Sequence, residues 1–469
     1  MRDLFLKFFK VLFSDIRSLV VIALIATSIL LQYVEPKTEN NGEYSSPQLV
    51  NVAQCIGWHE AASPVSQGAY ILNGDHVESL SLSIDGTPAS LQALASRKQQ
   101  LSKGHFVPVV AEGKGADSLA AIVSARSKPK TATGLAADSC HPPSSDWWFT
   151  GIKTLAGYSA RLLLANPDSA DAIIAVEAFD EEGEVQVGQF RRVVVPASKL
   201  KLVDLTQAVP GKAAVTIHLQ AIEGRISPSL QVESLKGAVR FGRSYISPIT
   251  APTTSAVITG IRGASTGQQL VVMAPVADAI ITVKVHRRDG SFTMAGADSL
   301  LITKQQTRVL LLTDALSGGD AAIEIVSDQP ILAAARSYIT AQNGKDYEVQ
   351  SAQLPLASKA VTIVPDGVAA NYFGYYALKA TTVIVTALKD GKPSWKQSFE
   401  IPAEEFNYFT IDPKQAIGTL LTFETSEPGV YLSHLMTSVV SKKGQSASLG
   451  LYDPSSQLVP GVRLHLLVS

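Results

Sequence analysis

The feature that most constrains this chain is a short-period alternation of apolar and polar residues, broken every few positions by Gly, Pro, Asp or Ser. Ile281, Val283 and Val285 alternate with Thr282, Lys284 and His286. Leu80, Leu82 and Ile84 alternate with Ser81 and Ser83. Side chains on a strand point to opposite faces in turn, so this pattern puts one face in a core and the other toward solvent. The reading is all-β. The best short helical candidate is Leu91 to Leu101.

The strands recur as a larger unit. An acidic residue followed by Gly ends an alternating run at Asp85-Gly86, Glu182-Gly183, Asp289-Gly290 and Asp390-Gly391, spaced by 97, 107 and 101 residues. Such dipeptides suit tight hairpins because Gly tolerates positive φ. Thr150-Gly151-Ile152-Lys153 returns as Thr259-Gly260-Ile261-Arg262. After each turn comes a kinked apolar stretch: Val195-Pro196-Ala197-Ser198, Ile302-Thr303-Lys304 and Ile401-Pro402-Ala403. The expected architecture is a set of tandem immunoglobulin-like β-sandwich repeats, with a β-propeller as the alternative. The expected modules are 51–140 (divergent), 141–248, 249–357 and 358–469.

The N-terminus differs in kind. Leu19 to Leu31 carries no charge and, with its flanks, makes residues 18–34 long enough for a short transmembrane helix of about 25 Å. Arg2, Lys7, Lys10 and Arg17 precede it, which favours a cytoplasmic N-terminus. The expected plan is a cytoplasmic amphipathic segment at 1–17, an anchor at 18–34 and a flexible linker at 35–50. The expected location is the cytoplasmic membrane, single-pass, with the C-terminal bulk outside the cytoplasm. A cleaved signal peptide is the rival, but Gln32-Tyr33-Val34-Glu35-Pro36 offers no small-x-small cleavage site.

Charge excludes one partner class. Lys+Arg number 40 and Asp+Glu 41, with no basic stripe, so nucleic acid is not an expected partner. Cys55 and Cys140 are the only cysteines. In an exported chain they are expected to pair, closing a loop worth roughly 4–5 kcal/mol in the chain-entropy model. The alternative is two unpaired thiols. Neither CxxC nor HxxxH spacing occurs, so neither metal nor other cofactor is expected.

Catalytic motifs are weak. Gly263-Ala264-Ser265-Thr266-Gly267 matches the nucleophile elbow, but the residues that follow read as strand rather than helix. Ser127-Lys128-Pro129-Lys130 matches S-x-x-K, yet Pro129 disrupts the helix that motif needs. Asp180, Glu181 and Glu182 sit in an expected hairpin tip. His218 and His434 fall in or beside apolar runs, and His286 on the polar face of a strand. The chain is therefore not expected to be an enzyme. Trp147, Trp148 and Phe149, with Tyr372, Phe373, Tyr375 and Tyr376, are the candidate binding aromatics, for a sugar or a protein.

One stretch resembles a known family. It comprises Cys140-His141-Pro142-Pro143, Asp146-Trp147-Trp148-Phe149-Thr150-Gly151, Ala160-Arg161-Leu162-Leu163-Leu164-Ala165-Asn166-Pro167, and Val195-Pro196-Ala197-Ser198. These residues resemble the actinobacterial exported-protein family termed domain of unknown function 5719, over roughly residues 50 to 460. The chain departs from the pattern at Ala274-Pro275 and Lys379-Ala380, where Asn-Pro would be expected. The resemblance implies an N-terminal membrane segment, one Cys near the start of the exported part and a second before the Trp-Phe motif. It also implies a cell-envelope setting; the family has no established activity, so the resemblance carries no mechanism. The expected function is a membrane-anchored, extracytoplasmic, non-catalytic scaffold or interaction protein of the cell envelope. Its partners would be the membrane, through the N-terminal helix, and an envelope protein or glycan. The alternative is a carbohydrate-binding or accessory factor for envelope glycan assembly.

Overall fold

A computed structural model describes residues 50–59, 65–71, 81–85, 87–89, 97–101, 105–112, 119–126, 134–237, 239–341, 344–364, 370–389, 392–412, 420–440 and 443–451. These residues are mostly strand, arranged as four modules. The first contains β1 (Val50–Ile56), β2 (Val65–Ile71), β3 (Ser81–Ile84), β4 (Thr87–Ala89), β5 (Arg97–Leu101), β6 (Phe106–Glu112), β7 (Leu119–Arg126) and β8 (Leu135–Ser139). The second contains β9 (Asp146–Ile152), β10 (Tyr158–Ala165), β11 (Ala172–Phe179), β12 (Glu184–Val185), β13 (Arg192–Val195), β14 (Leu200–Asp204), α1 (Leu205–Ala208), β15 (Val215–Glu223), β16 (Ser227–Lys236) and β17 (Val239–Ile246).

The third module contains β18 (Thr253–Ile261), β19 (Thr266–Met273), β20 (Ala279–Arg287), β21 (Gly290–Thr293), β22 (Leu300–Ile302), β23 (Thr307–Leu311), α2 (Thr313–Leu316), β24 (Ala321–Ala341) and β25 (Gly344–Ser351). The fourth contains β26 (Lys359–Ile363), β27 (Ala370–Ala377), β28 (Thr381–Lys389), β29 (Lys392–Ile401), β30 (Asn407–Ile411), β31 (Leu420–Thr425), β32 (Val430–Val440) and β33 (Lys443–Leu451).

All four modules repeat one topology. Eight strand positions make two antiparallel sheets, ordered first-sixth-third-fourth and fifth-second-seventh-eighth. In the second module β12 and β13 share the fourth position, and in the third β21 and β22 do. In the third module β24 serves as both sixth and seventh strand, so its two sheets are continuous. Glu182-Gly183 lies between the third and fourth strands of its module and Asp289-Gly290 leads into the fourth strand of the next, while Gly86, Asp390 and Gly391 lie outside the described residues. The layout is sandwich-like, with eight strands per unit. It is not the immunoglobulin order, in which the first two strands pair within one sheet. Here the first strand pairs with the sixth.

The modules close on themselves. β8 packs on β17, β17 on β25, β25 on β33, and β33 back on β8. The first strand of each module packs on the second or seventh strand of the next: β1 on β10, β9 on β19 and β24, β18 on β27 and β32. The fourth module completes the set, with β26 on β7 of the first. Apolar clusters fill each seam. Ile56 meets Leu163 and Ala165. Trp148 and Phe179 meet Met273 and Leu332. Val257 and Ala322 meet Tyr376, Phe406 and Tyr431. Ile122, Leu135 and Ala137 join the core of the fourth module.

Three expectations need correction. The segments 1–17 and 18–34, and the linker 35–50 up to Leu49, lie outside the described residues. Among the described residues no helix is long and apolar enough to cross a membrane. The α-helices there, α1 and α2, have four residues each, about 6 Å of rise against a hydrocarbon core of about 30 Å. The expected single-pass placement in the cytoplasmic membrane is therefore overturned. The helix expected over Leu91 to Leu101 fails at its C-terminal half, because Arg97–Leu101 is an edge strand paired with β2. Finally, His286 is buried rather than on a solvated face. Tyr376 of the next module covers its ring, with centroids 4.4 Å apart.

Candidate functional site

The residues with the most chemistry gather in the seams. The repeated Thr-Gly-Ile motif explains how the seams close. Gly151 and Gly260 end the first strands of their modules with φ of +85° and +76°, where an L side chain is strained. A Cβ on Gly151 would meet Val349 Cγ1 at 2.9 Å and Ala334 Cβ at 3.0 Å, both in the third module. A Cβ on Gly260 would collide with Ser433 Oγ of the fourth. The glycines are therefore points of close approach between neighbours.

Buried charge collects where the eighth strands meet. Asp346 on β25 is almost fully buried. Its carboxylate accepts from the backbone N–H of Leu135 at 2.8 Å and of Arg243 at 3.0 Å. One side chain thus ties together β8, β17 and β25. The Arg243 guanidinium lies 3.5 Å from Glu233 and sits over the Trp58 ring at 4.9 Å. Burial pushes the Glu233 carboxyl up, while Arg243 and Arg161 pull it down. The partners of Asp346 lie 103 and 211 positions away in sequence, so no local pattern signals it.

The seam between the third and fourth modules holds the arrangement closest to a catalytic one. His286 Nε2 lies 3.0 Å from Glu324 Oε2, and its Nδ1 lies 2.8 Å from Ser291 Oγ. A Ser-His-Glu relay would look similar, but the hydrogen bonds run the wrong way. Ser291 Oγ donates to the Glu404 carbonyl at 2.7 Å, which leaves its lone pairs toward the ring. Nδ1 is also 3.1 Å from that carbonyl, which can only accept. Ser291 Oγ thus gives its proton to the Glu404 carbonyl rather than to the ring, where a nucleophile activated by a general base must give it. Glu324 also accepts from Tyr376 at 3.4 Å and pairs with Lys284 at 3.5 Å. The His286 hydrogen bond holds its carboxyl below the ordinary range, against the opposing effect of burial.

At the same seam, Arg262 follows the Thr-Gly-Ile motif. It pairs with Asp320 at 3.3 Å and lies over the rings of Tyr372 and Tyr408, at 5.0 and 5.8 Å. Tyr408 is 43% exposed. Arg262 also lines a small cavity of about 10 Å³, together with Ile261, Gln268, Leu312, Arg336 and Gln350. That is room for about one water.

The candidate aromatics are mostly core. Trp147 is buried and its indole N–H donates to the Ile226 carbonyl at 3.0 Å. Trp148 is covered by His218, stacked 3.8 Å away, and Phe149 is wholly buried. Phe373, Tyr375 and Tyr376 are buried too, because both sheets of the fourth module and the seam close over them. Tyr372 is half-buried. As a surface platform the set reduces to Tyr372, joined by Tyr408, which periodicity alone does not single out.

The other motifs are structural. Cys55 and Cys140 form a buried disulfide, with Cα atoms 4.6 Å apart. It joins the end of β1 to the residue after β8. Ser265 lies in a turn between two strands, tied down by Gln268, whose amide donates to the Ser265 carbonyl at 2.6 Å. Asp180 accepts from the N–H groups of Glu182 and Gly183 and pairs with Lys212. Ser127-Lys128-Pro129-Lys130 lies outside the described residues. Among those described, no group of three or more His, Cys, Asp or Glu could hold a metal ion. Asn166, in the Asn-Pro motif, donates to the Ala170 and Val195 carbonyls and accepts from the Asp168 N–H, so it pins a turn.

The profile of a family of unknown function, DUF5719, matches residues 95–407, well over half of the chain. The chain belongs to this family. No curated protein matches it. The DUF5719 match runs from the last strands of the first module into the fourth, and so covers the Asp346 junction and the His286 seam.

Proposed function

We propose that this DUF5719 chain is an exported, non-catalytic interaction scaffold of the cell envelope. The observation that carries the reading is where the reactive side chains end. The side chains of Asp346, His286 and Glu324 bond across a module seam, and the Arg243 guanidinium lies over Trp58 of the first module. In those positions they fix modules together rather than face a substrate. The Cys55–Cys140 disulfide supports an oxidising compartment, since such bonds are rare in the cytosol. The test is in-cell crosslinking of the intact chain, followed by reconstitution of any captured envelope protein with purified chain. A stoichiometric complex is the expected result. Hydrolysis of an ester or peptide that disappears in Ser291→Ala would defeat the reading.

A second reading rests on Tyr408 and Tyr372 beside Arg262. Flat rings flanking a guanidinium suit a glycan. Titration with envelope glycan fragments should then show binding that Tyr408→Ala weakens at least tenfold. Absence of binding by the unaltered chain would remove this alternative.

A further inference from the structure

We propose that the open edge of β29 pairs with the β29 edge of a second copy of this chain, forming a two-fold antiparallel dimer. The fourth strand of a module lies at a sheet edge, and in three modules it is short or broken. β4 has three residues, β12 and β13 have two and four, and β21 and β22 have four and three. Long exposed edges invite pairing, and proteins usually blunt them this way. β29 is a ten-residue strand with a bulge at Ser394, where its register against β28 shifts; the regular stretch Trp395–Ile401 is mostly exposed and, among the described residues, pairs only with β28.

The pairing pattern shows which groups are open. Ser426 N–H donates to the Thr382 carbonyl, so Thr382 directs its backbone away from β29. In an antiparallel pair the backbone groups alternate sides. Val383 and Val385 therefore bond to β29, through their partners Phe399 and Gln397. The N–H and C=O groups of Lys396, Ser398 and Glu400 then point off the edge.

Charge selects the occupant. Lys396 and Glu400 share the outer face, two residues either side of Ser398. A two-fold axis at Ser398 puts Lys396 of each copy opposite Glu400 of the other, twice. On the inner face the same register sets Trp395 opposite Ile401 and Gln397 opposite Phe399. Opposite charges directly across strands stabilise, and like charges repel. The strand is thus complementary to itself in one register. This proposal stands apart from the scaffold reading, since its failure leaves capture of other proteins untouched.

Sedimentation equilibrium of the full chain tests it with charge reversals. The unaltered chain should dimerise. Lys396→Glu should raise the dimer dissociation constant roughly tenfold or more, because it sets Glu against Glu twice. Adding Glu400→Lys to it should restore the dimer, which a folding defect would not allow. A chain monomeric at every concentration would overturn the proposal. So would a dimer indifferent to Lys396→Glu, or one the double reversal fails to restore.

Discussion

His434 shows how burial decides what a residue can do. Its ring is fully buried on β32, stacked on Phe373 at 4.3 Å. Nε2 lies 2.8 Å from Asn371 Oδ1 and Nδ1 lies 3.2 Å from Thr362 Oγ1. A neutral ring satisfies both, donating to the amide oxygen and accepting from the hydroxyl. Burial pushes its pKa down to about 3, whereas the unfolded ring titrates near 6.5. Between those values only the unfolded chain takes up the proton. Stability from this group is therefore lost as pH falls from about 6.5 toward 3, on the order of 1 kcal/mol per pH unit. Glu324 acts later. Its folded pKa is depressed, so its contribution is lost only as pH drops through that lowered value. Urea midpoints at pH 7 and pH 5 separate the two. The unaltered chain should lose about 2 kcal/mol more over that interval than His434→Gln. Equal losses would show that His434 is not the titrating group.

At the scale of elements, the seam glycines make the sharpest claim. Gly260→Ala must hold an L residue at φ +76° and displace Ser433 Oγ. The backbone strain alone is about 1–2 kcal/mol. Equilibrium unfolding should show at least that loss, and Ser433→Ala in the same chain should recover part of it. A neutral Gly260→Ala would mean that β18 does not approach β32 this closely. The strands themselves were legible in the sequence. Ile281, Val283 and Val285 alternate, and all three point into the core of the third module. The turn at Glu182-Gly183 was legible for the same local reason. Sheet order was not, because the pairing of first with sixth strand is set by side chains dozens of positions apart. Arg97–Leu101 misled for a related reason. Its run Arg97-Lys98-Gln99-Gln100 carries no apolar residue to give it period two, so helical spacing fitted as well. Asp346 carries no local signature, since what makes it matter is the pair of N–H groups brought to it from two other modules.

The whole molecule depends on whether the circuit is energetic as well as geometric. In a linear string of four modules, the first and last are separated by two others. Here they share a core: Ile122 and Leu135 of the first module pack in the same cluster as Phe423 and Val385 of the fourth. Folding of the first module is then coupled directly to packing in the last, across more than 300 positions of sequence. Phe423→Ala removes a fully buried ring, a change that typically costs about 3–5 kcal/mol. Native-state hydrogen exchange can show where that loss is felt. Exchange should quicken in β28 and β31, which flank the cavity, and equally in β7 and β8. It should quicken less at Leu162 in β10, which lies in the separate core of the second module. A chain in which β7 and β8 kept their protection would be a string whose ends merely touch. A chain in which they lost it together with β31 would open and close as a ring, with the first-to-fourth seam as strong a link as the three the backbone already joins.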